Sequence, residues 1–246
     1  MNSKVRKGKP SGLETAIFYH EENKLILDAV TDLAIKVVMY KKKHKTKTVL
    51  LTGCNAACGT TRTSVNLSIA LSGSGFKTLL IDSDISMGSS LKNGLSEYIQ
   101  GSIDIDKAIL RTNLPNLDFV PSGIGKANSA LLLSSDRVAE FIGAVKEKYD
   151  YIIIDSPSID VSPVASAMFP NVEGIVLVCS LNKTKKRQII NARNATKPYS
   201  GKYYGMVVHS MEKRQYRNYL RRRKWEGAEV KLFHDVERSD AEGNGF

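Results

Sequence analysis

Short apolar runs alternate with stretches of helical periodicity along most of this 246-residue chain, and three of the runs end abruptly in a polar residue. Val49, Leu50 and Leu51 lead to Thr52; Leu79, Leu80 and Ile81 lead to Asp82; Ile152, Ile153 and Ile154 lead to Asp155. An apolar run without alternation reads as a strand buried on both faces. Such strands, alternating with helices, predict an α/β fold with a doubly wound, mostly parallel sheet and helices on both faces. Ligands of sheets like this bind beyond the carboxyl ends of the strands, so Thr52, Asp82 and Asp155 mark where a site should lie.

The periodicity predicts an amphipathic helix over 24–40, on Ile26, Val30, Leu33 and Val37, ended by the lysine-rich run 40–47. Strands follow at 48–52, 77–82, 117–121, 151–155, 174–179 and 203–208. Helices are expected at 60–72, 95–100, 105–111, 129–148 and 183–196. The length suits one large domain over 24–224, preceded by a basic arm over 1–23 and followed by a polar, flexible tail over 225–246.

Gly53, Cys54, Asn55, Ala56, Ala57, Cys58, Gly59, Thr60 and Thr61 fill the turn between the first of these strands and the helix after it. A phosphate-binding P-loop belongs in that place: its amides and the helix N-terminus cradle phosphates, a lysine reaches the β and γ oxygens, and a hydroxyl holds Mg²⁺. Gly59 and Thr61 keep the glycine and the hydroxyl, while Thr60 stands where the lysine should be. Gly53, Ala57, Cys58, Gly59, Thr60, Thr61 and Arg62 are therefore the candidate contacts for ATP or ADP. A carboxylate at the end of a buried strand is costly unless it is paired or hydrogen-bonded. Thr61, Asp82 and Asp155 are accordingly the candidate Mg²⁺ ligands, and Asp82, Asp84 and Asp155 the catalytic candidates if chemistry occurs. Arg62 lies about 200° around the helix axis from Thr60, and Lys77 or Lys126 would substitute only if folding brought them over the loop.

Three cysteines, Cys54, Cys58 and Cys179, are too few and too scattered for a disulfide framework. Cys179 sits in an apolar run and is expected as a buried thiol, and Cys54 with Cys58 lacks two further metal ligands nearby. No run of about 18 apolar residues occurs, so the expected place is the cytoplasm, with the inner face of the membrane as a peripheral one. The net charge of +11 is concentrated: residues 183–224 hold fourteen Lys and Arg against one acid, Glu212. Tyr199, Tyr203, Tyr204, Tyr216 and Tyr219 lie within that stretch. It reads as a surface for acidic lipid headgroups or an acidic protein tail, less readily for nucleic acid, with a solvated helix face as the bland alternative.

The stretches 52–61, 79–84 and 149–157 together resemble the three Walker motifs of bacterial tyrosine kinases, the cytoplasmic kinases of capsule and exopolysaccharide systems. These belong to the MinD/ParA group of P-loop proteins. The resemblance runs roughly over 24–210 and includes Gly94, Leu95, Ser96 and Glu97, then Pro121, Ser122 and Gly123, then 128–132 and 204–208. It implies a P-loop fold, ATP with Mg²⁺, protein-tyrosine phosphorylation, and a membrane-anchored activator of the polysaccharide co-polymerase kind. Four working positions depart from the family pattern. Thr60 replaces the lysine, and Ser86 replaces an arginine after the aspartate pair. Asp28, Thr31 and Ala34 replace the glutamate and two arginines of a subunit-contact motif. The tail lacks the family's tyrosine cluster, of which the tyrosines at 199–219 would be a displaced remnant. These losses imply a weakly nucleotide-binding pseudokinase or regulator and leave the oligomeric state open. An active tyrosine kinase or ATPase with a substitute cation, and a ParA/MinD-like switch binding DNA or a membrane surface, remain the alternatives.

Overall fold

A computed structural model describes residues 24–89, 91–124, 128–181, 183–209 and 230–232. The basic arm, Lys126, residues 210–224 with Tyr216 and Tyr219, and all of the tail but three residues lie outside this set.

The four central strands are the apolar runs of the sequence: β1 (Thr48–Gly53), β2 (Thr78–Asp82), β5 (Tyr151–Ser156) and β6 (Gly174–Ser180). With β3 (Leu110–Arg111), β4 (Leu117–Val120), β7 (Tyr203–His209) and β8 (Val230–Leu232) they form one sheet in the order β3-β4-β2-β5-β1-β6-β7-β8. All pairings are parallel except that of β3 with β4. The central strands are buried on both sides, and alternate residues feed two cores. Leu50, Leu79, Ile81, Ile152 and Ile154 face α6 (Asp136–Lys146) through Val138, Phe141, Ile142 and Val145. Val49, Leu51, Leu80 and Ile153 face α1 (Lys24–His44) and α2 (Thr60–Gly73) through Val30, Leu33, Val37 and Leu67. Each such side chain contributes about 1.5–3 kcal/mol on burial, so the sheet is held by its own interior rather than by anything bound at its edge.

Several boundaries differ from the sequence expectation, each for a local reason. The lysines at 41–43 extend α1 instead of ending it, because cations in a last turn face the negative end of the helix dipole. The helix stops at Lys45, whose φ of 56° is left-handed and whose N–H reaches back to the Lys41 carbonyl at 2.7 Å. The helix expected over 129–148 is two, α5 (Ser129–Leu133) and α6. The chain turns at Ser134, whose hydroxyl bonds to the Ala130 carbonyl at 2.9 Å, and Ser135 is extended. The helix expected over 105–111 ends at Ala108 as α4 (Ile105–Ala108), and Leu110 and Arg111 pair as a strand with Phe119 and Asp118. Helix α3 (Leu95–Ile99) falls where the sequence pattern expects one, over 95–100, whereas a short helix α7 (Val164–Met168) and the strand β8 have no counterpart in it.

At the amino edge of the sheet one carboxylate ties three elements together. Glu173 accepts the N–H groups of Lys47 and Thr48 at 2.6 and 3.0 Å and bonds Lys146 of α6 at 2.7 Å. These bonds hold its pKa below the usual carboxylate range against the cost of burial. The described tyrosines of the basic stretch are also built in. Tyr204 stacks on Tyr40 of α1 with centroids 4.0 Å apart, Tyr199 packs edge-on to Phe169, and Arg193 lies 3.8 Å over the Tyr203 ring. These three are half-buried and engaged in ring packing.

Candidate functional site

The carboxyl edge gathers the residues that the sequence singles out. β1 ends at Gly53, and the loop after it is stitched down on both sides. The Cys54 N–H donates to the Val178 carbonyl at 2.7 Å, and the Gly53 carbonyl accepts from the Ile159 N–H at 3.0 Å. The loop turns through two left-handed residues, Ala57 (φ 55°) and Gly59 (φ 89°). Gly59 then begins α2 with no side-chain cap and no acid in the first turn. The first N–H groups of a helix so built remain available to an anion, and the dipole favours one.

Thr60 opens α2 and turns its hydroxyl into the loop, 3.4 Å from the Cys58 sulfur. That thiol is buried and donates to the Val178 carbonyl at 3.2 Å. A Cβ placed on Gly53 would come within 2.6 Å of the Cys58 sulfur and 3.0 Å of the Thr60 hydroxyl, so these small groups fill the inside of the turn. No positive charge takes the place of the missing lysine from Lys77, which sits before β2 at the amino edge of the sheet with its N–H on Asp150. Arg62 is half-buried in the first turn of α2 and engaged there.

The other half of the site is intact. Asp82 and Asp155 end β2 and β5 as direct register partners. Asp155 is 8% exposed, and burial, followed by the charge of Asp82, pushes its carboxyl up to about 7, against the hydroxyls of Thr61 and Ser64 that bond to it. The Ser64 hydroxyl donates to Asp155 at 3.1 Å. Burial likewise raises Asp82, although the Asp84 N–H donates to it at 2.9 Å. Ser86, at the arginine position, donates to the Asp84 carboxylate at 2.5 Å. The buried Asp155 and the half-buried Asp82, beside an exposed hydroxyl, Thr61, form a set of hard oxygen donors that a divalent cation would relieve. No cluster of three or more acid, histidine or cysteine ligands occurs among the described residues. Mg²⁺ asks for none, since it takes one or two carboxylates with water and substrate phosphates. These residues fit that ion.

The cysteines do not join in. All three are buried and free; burial, the leading cause, pushes Cys54 to about 12 and Cys179 to about 11, so neither is a thiolate at neutral pH. Two contacts at this edge are absent from the sequence reading. Ser64 bonds Asp155 from one helical turn past Thr60; a serine on the inner face of α2 was the available hint. Asn55 in the loop accepts the Thr184 hydroxyl at 2.5 Å, which in turn accepts the Ser180 N–H at 2.7 Å, tying the P-loop to the segment after β6. Of the family's subunit-contact positions, Asp28 and Thr31 are exposed and Ala34 is buried. A groove of about 520 Å³ runs between α1 and the later half of α2, lined by Leu27, Ile35, Met39 and Phe76. It lies away from the loop and its lining carries no acid.

Comparison with known proteins agrees with this geometry. The family profile described as an AAA domain matches residues 46–178, more than half of the chain. The tyrosine-protein kinase CpsD of Streptococcus agalactiae is 31% identical over 186 residues, covering 72% of this chain and 81% of that protein. The kinase domain of the Escherichia coli tyrosine kinase ETK superposes with a TM-score of 0.70 at 22% identity, over 74% of each chain. The septum site-determining protein MinD of Pyrococcus horikoshii, solved with Mg-ADP, superposes with a TM-score of 0.59 at 22% identity, over 69% of this chain and 73% of that one. The chain belongs to the bacterial tyrosine-kinase family of capsule and exopolysaccharide systems, within the MinD/ParA group of P-loop proteins, as a member without the P-loop lysine.

Proposed function

We propose that this protein is a regulatory pseudokinase of polysaccharide assembly: it binds Mg-nucleotide weakly, transfers phosphate little or not at all, and acts through a membrane-anchored partner of the co-polymerase kind. One observation carries the reading. The Thr60 hydroxyl is bonded inside its own loop, while the oxygen donors across from it are kept. Gly53, Ala57, Cys58 and Gly59 shape the turn, and its amides and those of Thr60, Thr61 and Arg62 at the head of α2 bind phosphate oxygens. Thr61 and Asp82, backed by Asp155, would hold Mg²⁺, which when bound supplies charge neutralisation at the β and γ phosphates. Asp82, Asp84 and Asp155 are the positions through which any residual chemistry would pass.

Phosphoryl transfer depends almost wholly on positioned positive charge. Losing one such cation costs on the order of a hundredfold or more in rate, whereas the amides that hold the ground state are unaffected. The test is incubation of the full chain with labelled ATP and Mg²⁺. The expected result is no incorporation into tyrosine. Robust incorporation that Asp82→Ala abolishes would overturn the reading in favour of an active kinase.

A further inference from the structure

Helix α8 (Lys186–Thr196) covers β6 and β7 with one face, through Ile189, Ala192 and Thr196, and presents the other to solvent. The outward stripe is Lys186, Ile190, Arg193 and Lys197, spaced by four, three and four residues, with Arg187 beside it. Ile190 is 49% exposed in the middle of these cations. The helix contains no acid at all. Lys183, Lys185, Lys186 and Arg187 crowd its amino end, where the dipole is already positive, and Arg193 with Lys197 is a like-charged pair one turn apart. The first arrangement opposes helix formation; Arg193 and Lys197 repel each other, but they lie at the end where the dipole favours cations, and Arg193 rests on the Tyr203 ring. Among the described residues none of these cations forms an ion pair; the nearby Asp160 carboxylate is engaged by the Gln188 amide at 2.9 Å. Among the described residues no acid balances Lys186, Arg187 and Lys197, and Arg193 alone has a partner in the Tyr203 ring; an exposed positive face of this kind suits an anionic partner.

We infer that the outer face of α8 docks on an anionic lipid surface, its cations on the headgroups and Ile190 at the acyl boundary. Charge complementarity requires a polyanion. The aliphatic centre selects lipid over nucleic acid, because a duplex or a single strand rewards stacking aromatics at such a place, while an interfacial helix rewards a side chain that enters the apolar boundary. The helix is about 16 Å long, and its stripe runs the whole length. This inference stands apart from the nucleotide reading, since a protein that fails to bind ATP would still show it.

The experiment is co-sedimentation of the full chain with vesicles of phosphatidylcholine containing about one third phosphatidylglycerol, against pure phosphatidylcholine. Wild type is expected to partition onto the anionic vesicles only. The combined variant Lys186→Gln, Arg187→Gln, Lys197→Gln should lower partition on the order of a hundredfold. Ile190→Ser should lower it about fivefold, with the deficit persisting when salt is raised. Lys42→Gln, Lys43→Gln, Lys92→Gln, three exposed lysines elsewhere, should change it by less than about twofold. No variant should fall below the wild-type thermal midpoint, and the Lys186, Arg187, Lys197 variant should match or slightly exceed it, since it removes cations from the positive end of the helix dipole. Partition of the α8 variants equal to wild type overturns the inference. So does loss of duplex-DNA retention by those variants with vesicle binding intact, which would make α8 a nucleic-acid surface.

Discussion

The two halves of the P-loop site have diverged in opposite directions. The metal half consists of Asp82 and Asp155, which end two central strands in register with each other, and Thr61 at the head of α2. The lysine half consists of Thr60 and Cys58, which pack into each other and onto the Val178 carbonyl. The first half is held on both main chain and side chain: the Ser83 N–H and hydroxyl donate to the Asp155 main-chain carbonyl at 2.9 and 2.8 Å, while the Asp155 carboxylate accepts the Ser64 hydroxyl and the Asp82 carboxylate the Asp84 N–H. A lysine is a pendant chain that reaches out of the fold toward a ligand. Its replacement here, Thr60, turns its hydroxyl to the Cys58 sulfur inside the turn. Chemistry can therefore be lost on one side of such a site without any penalty in folding, while the other side persists.

The largest test of this contrast is Thr60→Lys. Restoring the charge should raise phosphoryl transfer from labelled ATP on the order of a hundredfold and tighten Mg-ATP binding less, and an unchanged rate would mean that the loop, not the charge, is at fault. Asp155→Asn comes next. Because burial raises this carboxyl to about 7, the folded chain keeps a proton that the unfolded chain has released. The stability due to Asp155 is full below about pH 4 and is lost as pH rises through its folded value. The amide should stabilise the nucleotide-free protein at pH 8 on the order of 2 kcal/mol and flatten denaturation midpoints between those limits, while removing the Mg²⁺ dependence of ATP binding. A midpoint at pH 8 below wild type would show that the carboxylate is compensated in the fold. Gly53→Ala should destabilise by about 1.5 kcal/mol, since the added methyl meets Cys58 and Thr60; a neutral change in urea denaturation would show a looser loop than described. The smallest effect is expected from Ala57→Gly. Relief of the left-handed strain slightly exceeds the entropy that glycine costs, for a gain of about 0.5 kcal/mol, and a loss of stability would show that Ala57 packs rather than strains.

Most of the sheet was legible because its central strands are buried on both sides and so lack any alternation that a helix might imitate. The strand-end aspartates were legible for the same reason, as the points where apolar runs break. What escaped depends on contacts distant in sequence. The two-residue strand β3 exists only because β4 lies beside it, and β8 only because β7 offers an edge. Thr184 meets Asn55 across 129 positions of chain, a distance over which no local pattern speaks. The break at Ser134 and Ser135 was readable, since paired serines compete with a helix for its own carbonyls, but the apolar periodicity of α6 masked it. Lys77 could be rejected only once its end of the sheet was known.

The carboxylate of Glu173 gives the chain a form of evolutionary insurance. By fastening β1, the entry to β6 and α6 at the edge away from the loop, it makes the scaffold's integrity independent of whatever happens at the other rim. A substitution at the loop is then felt in what the site binds, since the strands that carry the site are fastened from their other end.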